Sequence, residues 1–102
     1  MSGWTNVGPA EGRHELGAVT VEGLEIALAR LEDGSWAAFD NDCTHEECPL
    51  ADGLLEEDRI TCYCHSSVFD VRTGEVLDGP ADEPIGVYPV RVDDGELQVK
   101  LP

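Results

Sequence analysis

The chain has 102 residues, a length that supports one folded domain with a single modest core. Its 22 Asp and Glu residues against six Lys and Arg give a formal net charge of −16. This charge argues against nucleic acid and anionic membranes as partners, and it favours a basic protein surface. Solubility, or a salt-adapted or heat-adapted host, explains the same acidity. Residues 1–6 contain neither a basic n-region nor an apolar segment, so we expect no signal peptide or anchor and a cytoplasmic location.

The N-terminal third predicts short strands. Trp4 to Val7 is a candidate strand that closes on Gly8-Pro9, and Val19 to Val21 is a β-branched strand. Residues 24–31 contain good helix formers, yet apolar residues recur at every second position, which is the period of a strand. We therefore predict a hairpin whose turn is 32–35.

The returning strand of this hairpin is Trp36-Ala37-Ala38-Phe39. Its two aromatic residues are large and apolar, and we assign Trp36 and Phe39 to the core. The strand ends just before Asn41, where a segment rich in Cys and His begins.

Two short sequence boxes carry most of the cysteine and histidine in the chain. The first is Cys43-Thr44-His45, and the second, Cys62-x-x-His65, follows after sixteen intervening residues. Each box supplies one thiolate and one imidazole, so two loops of this kind can bind a metal centre from opposite sides. Cys43, His45, Cys62 and His65 are the predicted ligands.

The residue types alone leave two kinds of metal centre open. Thiolates suit iron–sulfur clusters or zinc, and imidazole suits zinc or iron. Structural zinc sites commonly pair two Cys and then two His, whereas each box here is mixed. A mixed pair lets the two Cys bind one metal and the two His another, which is the ligand division of a Rieske [2Fe–2S] centre. Zinc remains the alternative.

The C-terminal half again predicts strands and turns. Candidate strands include Leu54-Leu55, Arg59 to Thr61 and Val68 to Val71, with a turn at 72–75. Ile85 to Val92 alternates as one strand in which Pro89 marks an edge or a bulge. That strand forms the last hairpin with Glu96 to Leu101 through the turn Asp93-Asp94-Gly95.

The two boxes, together with the run from Phe69 to Glu75, resemble the Rieske family. The resemblance implies an all-β fold, a Rieske-type antiparallel β-sandwich with a small cluster-binding subdomain. It implies one domain over residues 1–102, with the cluster-binding loops at about 41–70 inserted in the β base. It also implies one [2Fe–2S] cluster per chain.

The resemblance extends to the two remaining cysteines. Cys48 and Cys64 occupy positions that form a disulfide between the two loops in the respiratory, high-potential branch of the family. We therefore expect a Cys48–Cys64 bridge, provided that their Cα atoms lie within about 7 Å. Two buried free thiols are the alternative, and a cytosolic location favours them.

Three further residues are implied to surround the cluster. Ser67 aligns with a serine that donates its hydroxyl to a cluster sulfur in the high-potential branch, and Phe69 replaces a tyrosine that donates another. With one of the two hydroxyls absent, we expect an intermediate reduction potential. Pro80 belongs to the loop implied to cover the cluster. Ser66 departs from a glycine that is common in the family.

By resemblance, the protein is a soluble electron carrier without catalytic residues. Such ferredoxins take single electrons from a flavoprotein reductase and pass them to a terminal oxygenase, often an aromatic-ring dioxygenase. Alternative settings are iron–sulfur cluster assembly and the small subunit of a nitrite-reductase-type complex, although that subunit often lacks the ligands. A zinc-stabilised interaction module is the alternative from another class.

Overall fold

The computed structural model describes residues 3–12, 15–42, 48–64, 66–79 and 83–101, and these residues are mostly extended. The strands are β1 (Trp4–Pro9), β2 (Leu16–Val21), β3 (Leu24–Arg30), β4 (Trp36–Asp40), β5 (Leu54–Glu56), β6 (Arg59–Thr61), β7 (Val68–Asp70), β8 (Val76–Asp78), β9 (Val87–Tyr88), β10 (Val90–Asp93) and β11 (Glu96–Lys100). A 3₁₀ helix covers Leu50–Asp52. The all-β fold class predicted from the sequence is confirmed.

The strands form three antiparallel sheets. The outer sheet has the order β1-β11-β10, the central sheet β2-β3-β4-β9, and the third sheet β5-β6-β7-β8. Local turn chemistry explains two of the hairpins. Glu22 and Gly23 between β2 and β3, and Asp94 and Gly95 between β10 and β11, all have positive φ. Consecutive positive φ values are typical of the type I′ turns that match strand twist.

Strand β3 explains the mixed signal of residues 24–31, because both of its faces are buried. Ala27 and Ala29 belong to the core between the central sheet and the third sheet. Ile26 and Leu28 belong to the core between the central sheet and the outer sheet. The predicted hairpin is confirmed, with β3 and β4 paired from Ile26 opposite Asp40 to Arg30 opposite Trp36.

The two aromatic residues assigned to the core differ in burial. Phe39 is fully buried on the side of the third sheet, whereas Trp36 is half-buried and packs against the core of the outer sheet. Among the described residues, no helix is long and apolar enough to span a bilayer.

The single strand predicted for residues 85–92 is wrong, because Pro89 divides it. β9 pairs with β4 in the central sheet, and β10 pairs with β11 in the outer sheet. Proline has no N–H to donate to a ladder, so the chain changes sheets there. The carbonyl of Pro89 still accepts a hydrogen bond from the Lys100 N–H at 2.9 Å.

The predicted strand after the second box is one residue too long, and β8 was not predicted. β7 ends at Asp70, whose carboxylate accepts hydrogen bonds from the N–H groups of Arg72 and Thr73 and turns the chain. β8 is only three residues long and pairs with β7 across an irregular register. So short a strand leaves little periodic signal.

Gly74 places this turn against the segment that leads into β9. Its φ is +83°, and its carbonyl accepts a hydrogen bond from the Ile85 N–H at 2.9 Å. A Cβ at Gly74 would collide with the Ile85 carbonyl oxygen, which is backbone and cannot rotate away. The close approach therefore requires glycine.

We expect Gly74→Ala to destabilise the protein by about 1–3 kcal/mol more than Gly34→Ala, because only the first change adds an overlap with backbone. Gly34 is the matched control, since its φ is +89° but an added Cβ would meet no atom within 4 Å. Denaturant unfolding of both variants measures the difference. Equal losses for the two variants would contradict the role assigned to the contact with Ile85.

Candidate metal centre

The second ligand loop, residues 62–67, is closed at its base by two backbone hydrogen bonds. The Cys62 N–H donates to the Ser67 carbonyl at 2.8 Å, and the Ser66 N–H donates to the Cys62 carbonyl at 2.9 Å. Cys62 follows β6 directly and is 1% exposed. The loop therefore begins at Cys62, a buried residue whose backbone N–H and carbonyl are both hydrogen-bonded.

Ser66 has a φ of +62°, in the left-handed region that glycine adopts most easily. This is the position where the sequence departs from the family's common glycine. The loop keeps the backbone conformation that a glycine would adopt, at a cost of about 1–2 kcal/mol for a residue with a Cβ.

A disulfide joins Cys48 to Cys64, as the resemblance implied, with their Cα atoms 6.5 Å apart. The Sγ atoms of Cys48, Cys62 and Cys64 all lie within 4.8 Å of one another. Because the sulfurs of Cys48 and Cys64 are bonded to each other, Cys62 is the member of this group that can bind a metal. Tyr63, between the two cysteines of the loop, is 61% exposed.

Cys62 is the predicted ligand whose position the structure describes. Cys43, His45 and His65 lie outside the described residues, as does Pro80. His65 follows Cys64 in the sequence, and Cys43 and His45 precede Cys48 by five and three residues. The disulfide therefore ties together the two parts of the chain that contain all four predicted ligands.

The two remaining predicted residues of the site are both buried. Ser67 is 0% exposed, and its backbone carbonyl closes the ligand loop. Phe69 is 0% exposed and belongs to the same core cluster as Cys62. The hydroxyl donation implied for Ser67 stays a prediction, while Phe69 has no hydroxyl to donate.

Sequence reasoning missed a pair of residues that fix the end of β4, just before the first ligand segment. The Tyr88 hydroxyl donates to Asp40 Oδ1, and the Gly86 N–H donates to Asp40 Oδ2 at 3.0 Å. Burial first, and then the hydrogen bond to Asp40, raises the pKa of Tyr88 to about 12. Asp40 and Tyr88 are 48 residues apart, so no local pattern indicates the contact.

Asn41, the next residue, was predicted only as the start of the first ligand segment. It is buried and bonds to both β3 and the 3₁₀ helix. Polar contacts at the end of β4 thus fix the chain where the first ligand segment begins.

The described part of the site is compatible with the predicted cluster-binding pattern. The described part of the chain provides one buried thiolate-forming sulfur beside a disulfide, and each mixed box adjoins one end of that bridge in the sequence. Residues 4–89 match the model of the Rieske [2Fe-2S] domain. The chain belongs to the Rieske [2Fe–2S] domain family.

Individual Rieske proteins resemble this chain in sequence or in structure over most of its length. The ferredoxin component of the naphthalene 1,2-dioxygenase system of Pseudomonas putida is 42% identical over 83 residues, covering 81% of this chain and 79% of the relative. The ferredoxin of carbazole 1,9a-dioxygenase from Nocardioides aromaticivorans IC177 superposes with a TM-score of 0.82 and 34% identity, covering 93% and 96% of the two chains.

A third match is a chain from the complex of reduced oxygenase and oxidised ferredoxin in carbazole 1,9a-dioxygenase. Its TM-score is 0.85 at 32% identity, covering 93% of this chain and 99% of the other. Family membership identifies the cofactor as a Rieske [2Fe–2S] cluster, so the zinc alternative is set aside.

Removing the disulfide with the double variant Cys48→Ala/Cys64→Ala should shorten cluster lifetime more than it changes the fold. A cross-link over 16 residues is worth about 3 kcal/mol, and here it restrains the loops rather than the sheets. Iron release to a chelator and circular dichroism measure the two effects. In the wild type, thiol titration after denaturation and cluster removal, without reductant, should find two free thiols per chain. Four free thiols under the same conditions would contradict the bridge.

Proposed function

We propose that the protein is an electron carrier, the ferredoxin component of a multi-component oxygenase system, and not itself an enzyme. It takes single electrons from a flavoprotein reductase and passes them to a terminal oxygenase of the aromatic-ring dioxygenase type. The observation that carries this proposal is the 42% identity, over 81% of the chain, with a ferredoxin component of a naphthalene 1,2-dioxygenase system. The fold match to a ferredoxin from an oxygenase–ferredoxin complex supports the choice of partner.

The proposed ligands are Cys43 and Cys62 for one iron and His45 and His65 for the other. The bound cluster supplies one-electron redox chemistry at a potential of about −150 to +300 mV. The protein contributes a buried sulfur at Cys62, a ligand loop with a fixed base, and a bridge that limits loop movement. Fixed ligands change little between redox states, which favours rapid electron transfer.

We also propose that residues 1–102 form one domain. The two cores on either side of the central sheet support this assignment, because β3 contributes side chains to both and joins all three sheets. The cytoplasmic location stays a prediction that cell fractionation would test.

The purified protein should contain about two irons and two labile sulfides per chain. His65→Ala should lose the cluster, whereas His14→Ala should keep it, since His14 is the one histidine outside the two boxes. His65→Cys, if it retains a cluster, should lower the potential because a thiolate adds negative charge. One zinc per chain without sulfide would refute the proposal.

Electron transfer to the partners should slow as salt rises. The net charge of −16 favours a basic docking surface, and salt screens such attraction over about 8 Å at physiological ionic strength. Stopped-flow rates with the host's reductase and oxygenase measure this, and an uncharged small-molecule oxidant is the control. If the partner rate is no more salt-sensitive than the control, the acidic surface is not used for docking. If the protein instead captures a component of a cluster-assembly or nitrite-reductase system from native extract, that system replaces the oxygenase as the proposed partner.

A further inference from the structure

Asn41 is a buried polar residue at the point where the chain leaves the central sheet. Within the described ranges, the buried polar side chains are those of Asn41, which is 4% exposed, and Ser67. Buried amides require hydrogen-bond partners, because an unpaired polar group away from water is costly. The partners of Asn41 therefore indicate what the residue is for.

The donors of Asn41 fix it to the central sheet. Its N–H donates to the Glu25 carbonyl at 3.2 Å, and its Nδ2 donates to the Glu25 carboxylate at 3.4 Å. Glu25 lies in β3, beside the end of β4. Asn41 is thus fixed to strand β3 by two hydrogen bonds.

The acceptors of Asn41 hold the chain where it returns. Its Oδ1 accepts the Ala51 N–H at 2.9 Å, and its carbonyl accepts the Leu50 N–H. Leu50 is fully buried, and Asp42 pairs with Pro49 in an isolated β-bridge. Both ends of the first ligand segment, residues 42–49, therefore meet at one residue.

We propose that Asn41 is a positioning residue for the first ligand segment. Its side-chain oxygen fixes the segment's exit at Ala51, so that Cys48 is presented to Cys64 and the segment that carries Cys43 and His45 is held with both ends closed. The part that concerns metal ligands rests on the proposed function. The part that concerns the disulfide rests on the contacts alone.

The chemistry of the amide explains why asparagine suits this position. The residue must accept from Ala51 and donate to Glu25 at the same time, and an amide does both. Aspartate keeps the acceptor but replaces the donor by a second carboxylate beside Glu25. Alanine removes both contacts and leaves the Ala51 N–H without its acceptor.

The test compares Asn41→Ala, Asn41→Asp and the matched control Asn6→Ala. Asn6 also accepts a backbone N–H through Oδ1, from Gly8 at 2.8 Å, but it lies in β1 of the outer sheet. The first measurement is the equilibrium of the Cys48–Cys64 bridge against glutathione in metal-free protein. The second is the rate of iron release, with the reduction potential and the EPR spectrum of loaded protein.

For Asn41→Ala we expect the bridge equilibrium constant to fall about tenfold and iron release to accelerate about tenfold. A tenfold change corresponds to about 1.4 kcal/mol and lies within the range for a buried N–H that loses its acceptor. The potential and EPR spectrum should change as well. Asn41→Asp keeps an acceptor for Ala51 but places a second carboxylate beside that of Glu25, so it should not recover the wild-type values at neutral pH, and Asn6→Ala should match the wild type.

A different pattern would overturn the proposal. If Asn41→Ala lowers the unfolding midpoint but leaves the bridge equilibrium and iron release as in Asn6→Ala, the residue only stabilises the fold. If Asn41→Ala does not fold, Asn41→Ser, whose hydroxyl is one bond shorter than the amide, replaces it in the comparison. A wild type without iron and sulfide would refute the proposed function, while the bridge equilibrium would still decide the role of Asn41.

Discussion

The central sheet buries both of its faces, and the other two sheets depend on that double burial. On β3, alternate residues face opposite cores: Ala27 and Ala29 on one side, Ile26 and Leu28 on the other. The small alanines face the third sheet, which contributes Phe69 to the same core, while Phe39 lies beside Ala27 within the central sheet. Large residues from one layer thus fill the space that small residues leave in the next, as close packing requires.

Apolar packing places the sheets, but polar contacts fix the loops that leave them. Hydrophobic burial is not directional, so it positions whole sheets without setting the path of a loop. Hydrogen bonds at Asp40, Asn41 and the base of the second ligand loop do set that path, since each has a narrow range of distance and angle. The disulfide then joins the two loops, and both of its cysteines pack against the core that contains Cys62.

Features that depend on neighbouring residues were predictable from the sequence. The period of two in residues 24–31 predicted β3 against its helix-forming composition, and the turn at Asp94-Gly95 predicted the last hairpin. The spacing of the boxes led to the family, and through it to the Cys48–Cys64 pair. These signals are local, or they lie in a motif that resembles one protein family.

Features that depend on distant residues were not predictable. The contact of Asn41 with the Glu25 side chain spans 16 residues, and that of Asp40 with Tyr88 spans 48. Pro89 was recognised as an irregularity, but the change from one sheet to another depends on which strands lie beside it. Gly74 lies in an ordinary turn until the Ile85 carbonyl is known to approach it.

The acidic surface and the buried site act on different steps of electron transfer. Exposed carboxylates influence an added electron through water and salt, and each contributes little beyond about 8 Å. Buried groups act without that screening, so the hydroxyl donation predicted for Ser67, which is fully buried, would act on the potential more strongly than a distant exposed charge. The apolar ring of Phe69 offers no such donor. On the proposed function, we expect the potential to depend mainly on the buried residues beside Cys62, and the net charge of −16 to affect the rate and the orientation with which a partner docks.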